Sequence, residues 1–203
     1  MLARPARRAK RCRSASLRVA CVATLAAVLA FAVAACGSSS GDEAQGGQAP
    51  DYQQALAGAP APLASLYRQA NRIVGGGVQA FDNRLEGLRG YPVVVNKWAS
   101  WCGPCREEFP WFQDLAARLG KRIAFLGVNS NDSSAAAKTF LSEFPVPYPS
   151  YGDPGQEIAR AIRAAVGFPA TAFYDRDGKL AYVRQGQYPS EAALAADIKR
   201  YAR

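Results

Sequence analysis

The chain has 203 residues, of which 49% are hydrophobic and 10% aromatic, enough for one core domain with additional segments. Its formal net charge of +9 would suit a nucleic-acid surface, but Arg4, Arg7, Arg8, Lys10, Arg11, Arg13 and Arg18 all precede position 19, and removing those seven leaves +2. No basic stripe with interleaved aromatics remains, which argues against DNA and RNA as partners.

The positives precede an apolar run, residues 19–35, in the layout of a secretory signal. The run is short for a comfortable transmembrane helix. The sequence that closes it, Val33-Ala34-Ala35-Cys36-Gly37-Ser38-Ser39-Ser40-Gly41, resembles a bacterial lipoprotein signal, in which small residues precede a cysteine that is lipidated and becomes the new N-terminus. The resemblance implies a signal peptide over residues 1–35 and acylation of Cys36. It also implies anchoring in the lipid bilayer, at the outer face of a bacterial cell membrane, since two acyl chains bury enough CH₂ groups to hold a soluble domain there. An uncleaved anchor and an unmodified Cys36 are the alternatives. Residues 36–61, rich in Gly, Ser, Ala and Pro, read as a flexible tether. Within it, Asp51–Leu56 is left open between tether and a turn of helix.

The folded domain is read as residues 62–203, beginning with a helical extension. Leu63, Leu66, Tyr67 and Ala70 recur at helical spacing after Pro62. Gly75-Gly76-Gly77 breaks the pattern, and lacks both the Gly-Lys-Ser/Thr ending and the preceding strand of a phosphate loop. Phe81, Leu85 and Leu88 share one face of a second helix, closed by Gly90. Val93–Lys97 is a buried strand, and residues 106–119 form a helix with Phe109, Phe112, Leu115, Ala116 and Leu119 as its apolar set, a kink at Pro110 and an end at Gly120. Ile123–Asn129 is a second buried strand, which makes a β-α-β unit and a parallel pair. Asn131-Asp132-Ser133-Ser134 offers caps for a helix over Ala135–Phe144, and Pro145–Gly155 reads as irregular. Ile158, Ala161, Ile162 and Ala165 mark another helix. Thr171–Tyr174 and Leu180–Gln185 form a hairpin around Asp175-Arg176-Asp177-Gly178-Lys179, and Pro189-Ser190-Glu191 opens a last helix with Leu194, Ile198 and Tyr201 inward.

The chemistry concentrates at Trp101-Cys102-Gly103-Pro104-Cys105, between the first strand and its helix. A cysteine at a helix N-terminus is stabilised as thiolate by unpaired N–H groups and the helix dipole. A second cysteine one turn deeper can attack a mixed disulfide formed by the first. Pro104, lacking an N–H, fits the first helical turn. A zinc site needs more ligands, and the chain has no histidine, while its other cysteines, Cys12, Cys21 and Cys36, all lie in the N-terminal segment. A metal is therefore not expected, nor is any nucleotide or flavin cofactor. An inert structural disulfide remains the bland alternative.

The run from Asn96 to Pro110, with Arg106, Glu108 and Pro110 following the second cysteine, resembles the thioredoxin fold and, within it, the exported, membrane-tethered thiol-disulfide oxidoreductases of the TlpA/ResA type. Gly167-Phe168-Pro169-Ala170-Thr171 and Asp175-Arg176-Asp177-Gly178 match that family's active-site cis-proline and the hairpin that follows it. The resemblance implies an α/β fold with a central mixed sheet flanked by helices. It implies catalytic roles for Cys102, Cys105, Pro169 and Glu108. A client-contacting surface is expected at Trp101, Gly103, Pro104 and Phe168. It implies an enzyme, most of all a reductase of extracytoplasmic protein disulfides, including those of cytochrome c maturation, fed by a membrane thiol donor. A dithiol oxidase and a non-catalytic client-binding lipoprotein are the competing readings. Two positions depart from thioredoxins: Asn96 stands where they carry a buried acid, and Lys97 follows where an apolar residue is usual. Lys97 reads either as a cation beside the thiols or as a stem packed at the strand end with its amine reaching solvent. First-turn acids suit helix N-termini in any protein, which offers Glu108 a structural role instead.

Overall fold

The computed structural model describes residues 51–203. The expected signal peptide over 1–35, the expected acylation site Cys36 and the expected tether as far as residue 50 lie outside the described residues. The elements in chain order are α1 (Tyr52–Leu56), α2 (Ala61–Tyr67), β1 (Ile73–Val74), α3 (Gly77–Glu86), β2 (Val93–Trp98), α4 (Gly103–Leu119) and β3 (Ala124–Ser130). They continue with α5 (Ser134–Glu143), β4 (Ser150–Asp153), α6 (Glu157–Ala161), β5 (Ala170–Tyr174), β6 (Leu180–Gln185) and α7 (Glu191–Tyr201).

One six-stranded sheet, in the order β1-β4-β3-β2-β5-β6, runs through the domain. β1, β4, β3 and β2 pair in parallel, and β5 and β6 add antiparallel strands beyond β2. β2 and β3 are buried along their whole length, as central strands covered by helices on both faces must be. Two cores result. Val94 and Trp98 of β2 face Phe109, Phe112 and Leu115 of α4, Phe140 of α5, and Leu194 and Ile198 of α7. Val93 and Val95 face the opposite way, toward Leu63 and Leu66 of α2, Phe81 of α3 and Ile158 of α6. This is the mixed, helix-flanked α/β thioredoxin-like fold.

Several local expectations are corrected. Residues 52–56, left open between tether and a turn of helix, form α1: Asp51 caps it by accepting from the Gln53 and Gln54 N–H groups, and the Tyr52 hydroxyl donates to the Pro145 carbonyl at 2.8 Å. β4 lies within the stretch read as irregular, and two-residue β1 pairs along it. α6 ends at Ala161, so Ala165, placed on its apolar face, is exposed. α4 begins at Gly103 rather than at 106, and Pro110 lies inside it as expected. Gly120 ends α4 with right-handed φ of −61°, so it is not there for a left-handed turn. A Cβ at that position would stand 2.5 Å from the Ala116 carbonyl and 2.6 Å from Leu56 Cδ2, so close packing under α1 is what demands glycine.

Candidate active site

Parallel pairing of β2 with β3 brings the C-terminal ends of both strands to one edge of the sheet, where open α/β sheets place their ligand sites. β2 leads through Ala99–Trp101 into α4, and β3 leads through Asn131–Ser133 into α5. Asp132 ties the two connections together. One carboxylate oxygen accepts from the Ser100 N–H at 2.6 Å and from Asn129 Nδ2 at 2.9 Å, and the other from the Ser100 hydroxyl at 2.9 Å and the Ser133 N–H at 2.8 Å. Burial alone would raise this carboxyl, but the bonds from Asn129, Ser100 and Ser133 outweigh it and hold the group below the ordinary carboxylate range. The sequence showed Asp132 as one of several cap residues; its position just beyond the end of β3, beside the thiol loop, was the available signal.

Cys102 and Cys105 are joined by a disulfide, with Cα atoms 5.3 Å apart. Cys102 occupies the N-cap of α4, and its Sγ accepts the Cys105 N–H at 3.1 Å. Both side chains are buried, while Gly103 and Pro104 between them are exposed. Trp101 stands out at 57% exposure, its Nε1 donating to the Asn131 carbonyl at 2.9 Å and its ring meeting the edge of Phe168 at 4.8 Å between centroids. The Phe168–Pro169 peptide bond is cis, and Pro169 is buried immediately before β5. Val166, 87% exposed, extends the apolar surface of this loop. The structure thus brings Trp101, the thiol pair and Phe168–Pro169 to one side of the molecule.

Glu108 lies on α4 one turn beyond Cys105. Because α4 starts at Gly103, this is the second turn, and no acid occupies the first; helix-end stabilisation does not account for it. The carboxylate is buried: Oε1 accepts the Tyr188 N–H, and Oε2 has no partner. Burial raises its pKa from 4.5 to about 7, against the opposing pull of the Tyr188 N–H and of Arg184. An unpartnered buried oxygen on a carboxyl poised near neutrality suits proton exchange.

The two departures from thioredoxins part company here. Asn96 is buried on the α4 side, with Oδ1 unpartnered. Lys97 points the other way and is wholly buried, so its amine does not reach solvent as the packed-stem reading required. Its Nζ donates to the Gly167 carbonyl at 2.7 Å and stands 3.2 Å from the centre of the Phe168 ring.

A thioredoxin fold whose central strand delivers a C-x-x-C disulfide to a helix N-terminus, beside a cis-proline, defines the thiol-disulfide class of site. The Redoxin family model matches residues 56–198, and the chain belongs to that family. Among curated relatives, the thiol-disulfide oxidoreductase ResA of Bacillus thuringiensis subsp. konkukian is 25% identical over 108 residues, 53% of this chain and 62% of that protein. The thiol:disulfide interchange protein DsbE of Pseudomonas fluorescens biotype C is 38% identical over 92 residues, 45% of this chain and 49% of that one. The chain thus spans less than two thirds of the length of either relative, and just under half of the second. Among solved structures, MTB dsbF, in mixed oxidised and reduced forms, is 28% identical with a TM-score of 0.52, covering 57% of this chain and 84% of that one.

Proposed function

We propose that the protein is a thiol-disulfide oxidoreductase of extracytoplasmic proteins, working most of all as a disulfide reductase. The observation that carries this reading is the Cys102–Cys105 disulfide at the N-terminus of α4. In the reduced enzyme the Cys102 thiolate attacks one sulfur of a client disulfide, and the other client sulfur leaves as thiolate and takes up a proton. Cys105 then gives its proton to the Glu108 carboxylate and attacks Cys102 Sγ. The client's second sulfur departs, protonated in turn, and the enzyme disulfide closes. Two electrons pass from the cysteine pair to the client, and a membrane dithiol restores them. Trp101, Gly103, Pro104 and Phe168 form the client surface, and the backbone beside Pro169 accepts the client as a short added strand. Acylated Cys36 holds the domain at the outer face of a bacterial membrane, within reach of its electron donor. ResA and DsbE relatives support the assignment by their named activities.

The deciding experiment is the reduction potential of the Cys102–Cys105 pair, equilibrated against glutathione or dithiothreitol. A value near about −250 mV or lower belongs with thioredoxin and supports the reductase. A value near about −120 mV belongs with strong disulfide donors and replaces the reductase with a dithiol oxidase. Cys102→Ser is expected to abolish turnover with the fold intact, and Cys105→Ser to accumulate the mixed disulfide; a Cys102→Ser variant that still turns over removes Cys102 as the attacking thiol.

A further inference from the structure

Lys97 occupies a place where an apolar side chain would cost nothing. It is completely buried in a central strand, and burying an ammonium is unfavourable unless acceptors meet it. Among the described residues no carboxylate forms a salt bridge with it; the buried Asp153 acts on it from beyond salt-bridge distance. Its two close partners are the Gly167 carbonyl at 2.7 Å and the face of the Phe168 ring at 3.2 Å. Both belong to the short segment that ends in the cis bond to Pro169, next to the Ala170 that pairs with Lys97 across the sheet. The same Phe168 ring carries the edge contact with Trp101, the residue before Cys102. One buried cation therefore fastens a carbonyl and an aromatic face of a single loop to the strand that feeds the thiol pair. Cation–π attraction strengthens when water is excluded, and a charged donor makes the stronger kind of hydrogen bond.

The geometry points to Lys97 as a positioning residue for client binding: its ammonium sets the orientation of Gly167 and Phe168, and through them the surface on which a protein disulfide docks. This rests on the reading of the Phe168–Pro169 loop as the client surface. The chain would then grip protein disulfides through a side chain that forms no part of the exposed contact surface, while small disulfides, which need only the sulfur, would react regardless.

The test uses the full-length chain in detergent, with dithiothreitol as electron source and two probes: insulin as a protein disulfide and hydroxyethyl disulfide as a small one. Lys97→Met is expected to raise KM for insulin about tenfold, the scale of a desolvated cation–π contact with its hydrogen bond. kcat on insulin and the rate on hydroxyethyl disulfide should stay within about twofold, a split that general loosening of the fold would not produce. Phe168→Leu removes the ring, and adding Lys97→Met to it should then cost much less than in the native background, because the two act as one unit. Should Lys97→Met not fold, Lys97→Gln, which keeps a donor without the charge, is judged by the same outcomes. An unchanged insulin KM, equal slowing on both probes, or full multiplication of the two effects overturns the inference alone. Failure of the native chain to reduce insulin while reducing hydroxyethyl disulfide overturns the client-surface reading, and this inference with it.

Discussion

Glu108 offers a prediction whose magnitude follows from its surroundings. Burial lifts its carboxyl from 4.5 to about 7, so between those values the folded chain binds a proton that the unfolded chain has released. Stability therefore falls as pH rises through that window, by about 1.4 kcal/mol for each pH unit separating the two values, or about 3 kcal/mol in all. Glu108→Gln removes the titration while leaving an oxygen to accept the Tyr188 N–H. The amide carries its own cost, since the position of Oε2 has no partner to offer it. The informative quantity is accordingly the difference between variant and native chain at two pH values, from which that constant cost cancels. Urea denaturation of the oxidised chain is the assay, since the closed disulfide keeps the thiols from titrating. Relative to the native chain, the variant should gain about 3 kcal/mol between pH 4 and pH 8. At roughly 2–4 °C per kcal/mol for a domain of this size, that corresponds to about 6–12 °C in Tm. If both chains lose stability in parallel over that range, Glu108 is not the buried, poised acid described above, and the proton route from Cys105 must be sought elsewhere.

Three other outcomes are expected. Asp132→Asn should cost about 1–3 kcal/mol near neutral pH, from the weakened bonds to Ser100, Asn129 and Ser133. That cost should shrink as acid protonates the native Asp132 through its lowered pKa, and equal denaturation midpoints at neutral pH would refute it. Lys97→Met should gain about 3 kcal/mol more relative to the native chain at pH 7 than at pH 11: burial lowers the amine from 10.5 to about 8, so the native chain regains stability as pH rises across that interval, and a constant difference would contradict this. Gly127→Ala should destabilise by about 1–3 kcal/mol in thermal melts, because its methyl would overlap Ser150 Oγ and stand 3.0 Å from Trp98 Nε1, the two atoms of a buried hydrogen bond; an unchanged Tm would show that the strand shifts freely.

The elements legible in the sequence were those whose pattern is strong on its own. Val93–Val95 and Ile123–Val128 are apolar enough to declare central strands, and the Asp175–Gly178 turn has glycine at a φ of +75° where the hairpin needs it. β4 was hidden because Ser150-Tyr151-Gly152-Asp153 lacks apolar alternation and follows three prolines. Its burial comes from neighbours, with Asp153 satisfied by the Ser130 hydroxyl and by the Ile158 and Ala159 N–H groups. β1 is two residues long and has no period to detect. At the site, the cysteine spacing pointed directly to the chemistry, since two thiols at a strand-to-helix junction have few other uses. The burial of Lys97 was not legible: a lysine goes inside only when a carbonyl and an aromatic face, here seventy and more positions further on, are waiting for it. Asp132 was visible as a helix cap, but its grip on Ser100 depends on the parallel register of β2 and β3, which sequence pattern alone leaves open.

The alternation of β2 has a consequence for how such a protein diverges. Asn96 and Lys97 are chain neighbours, yet one looks toward the helix that carries the thiols and the other toward the loop that carries Phe168. Because the sheet stands between them, the client-binding role proposed for Lys97 predicts that substitutions there retune client choice without disturbing the face that carries Asn96 and the thiol helix. Selection therefore has two separate dials on one strand. An insertion or deletion of a single residue there would swap them, setting an ammonium beneath the sulfurs and an amide beneath the loop, so lineages should vary freely in what these positions carry and hardly at all in their spacing from Cys102.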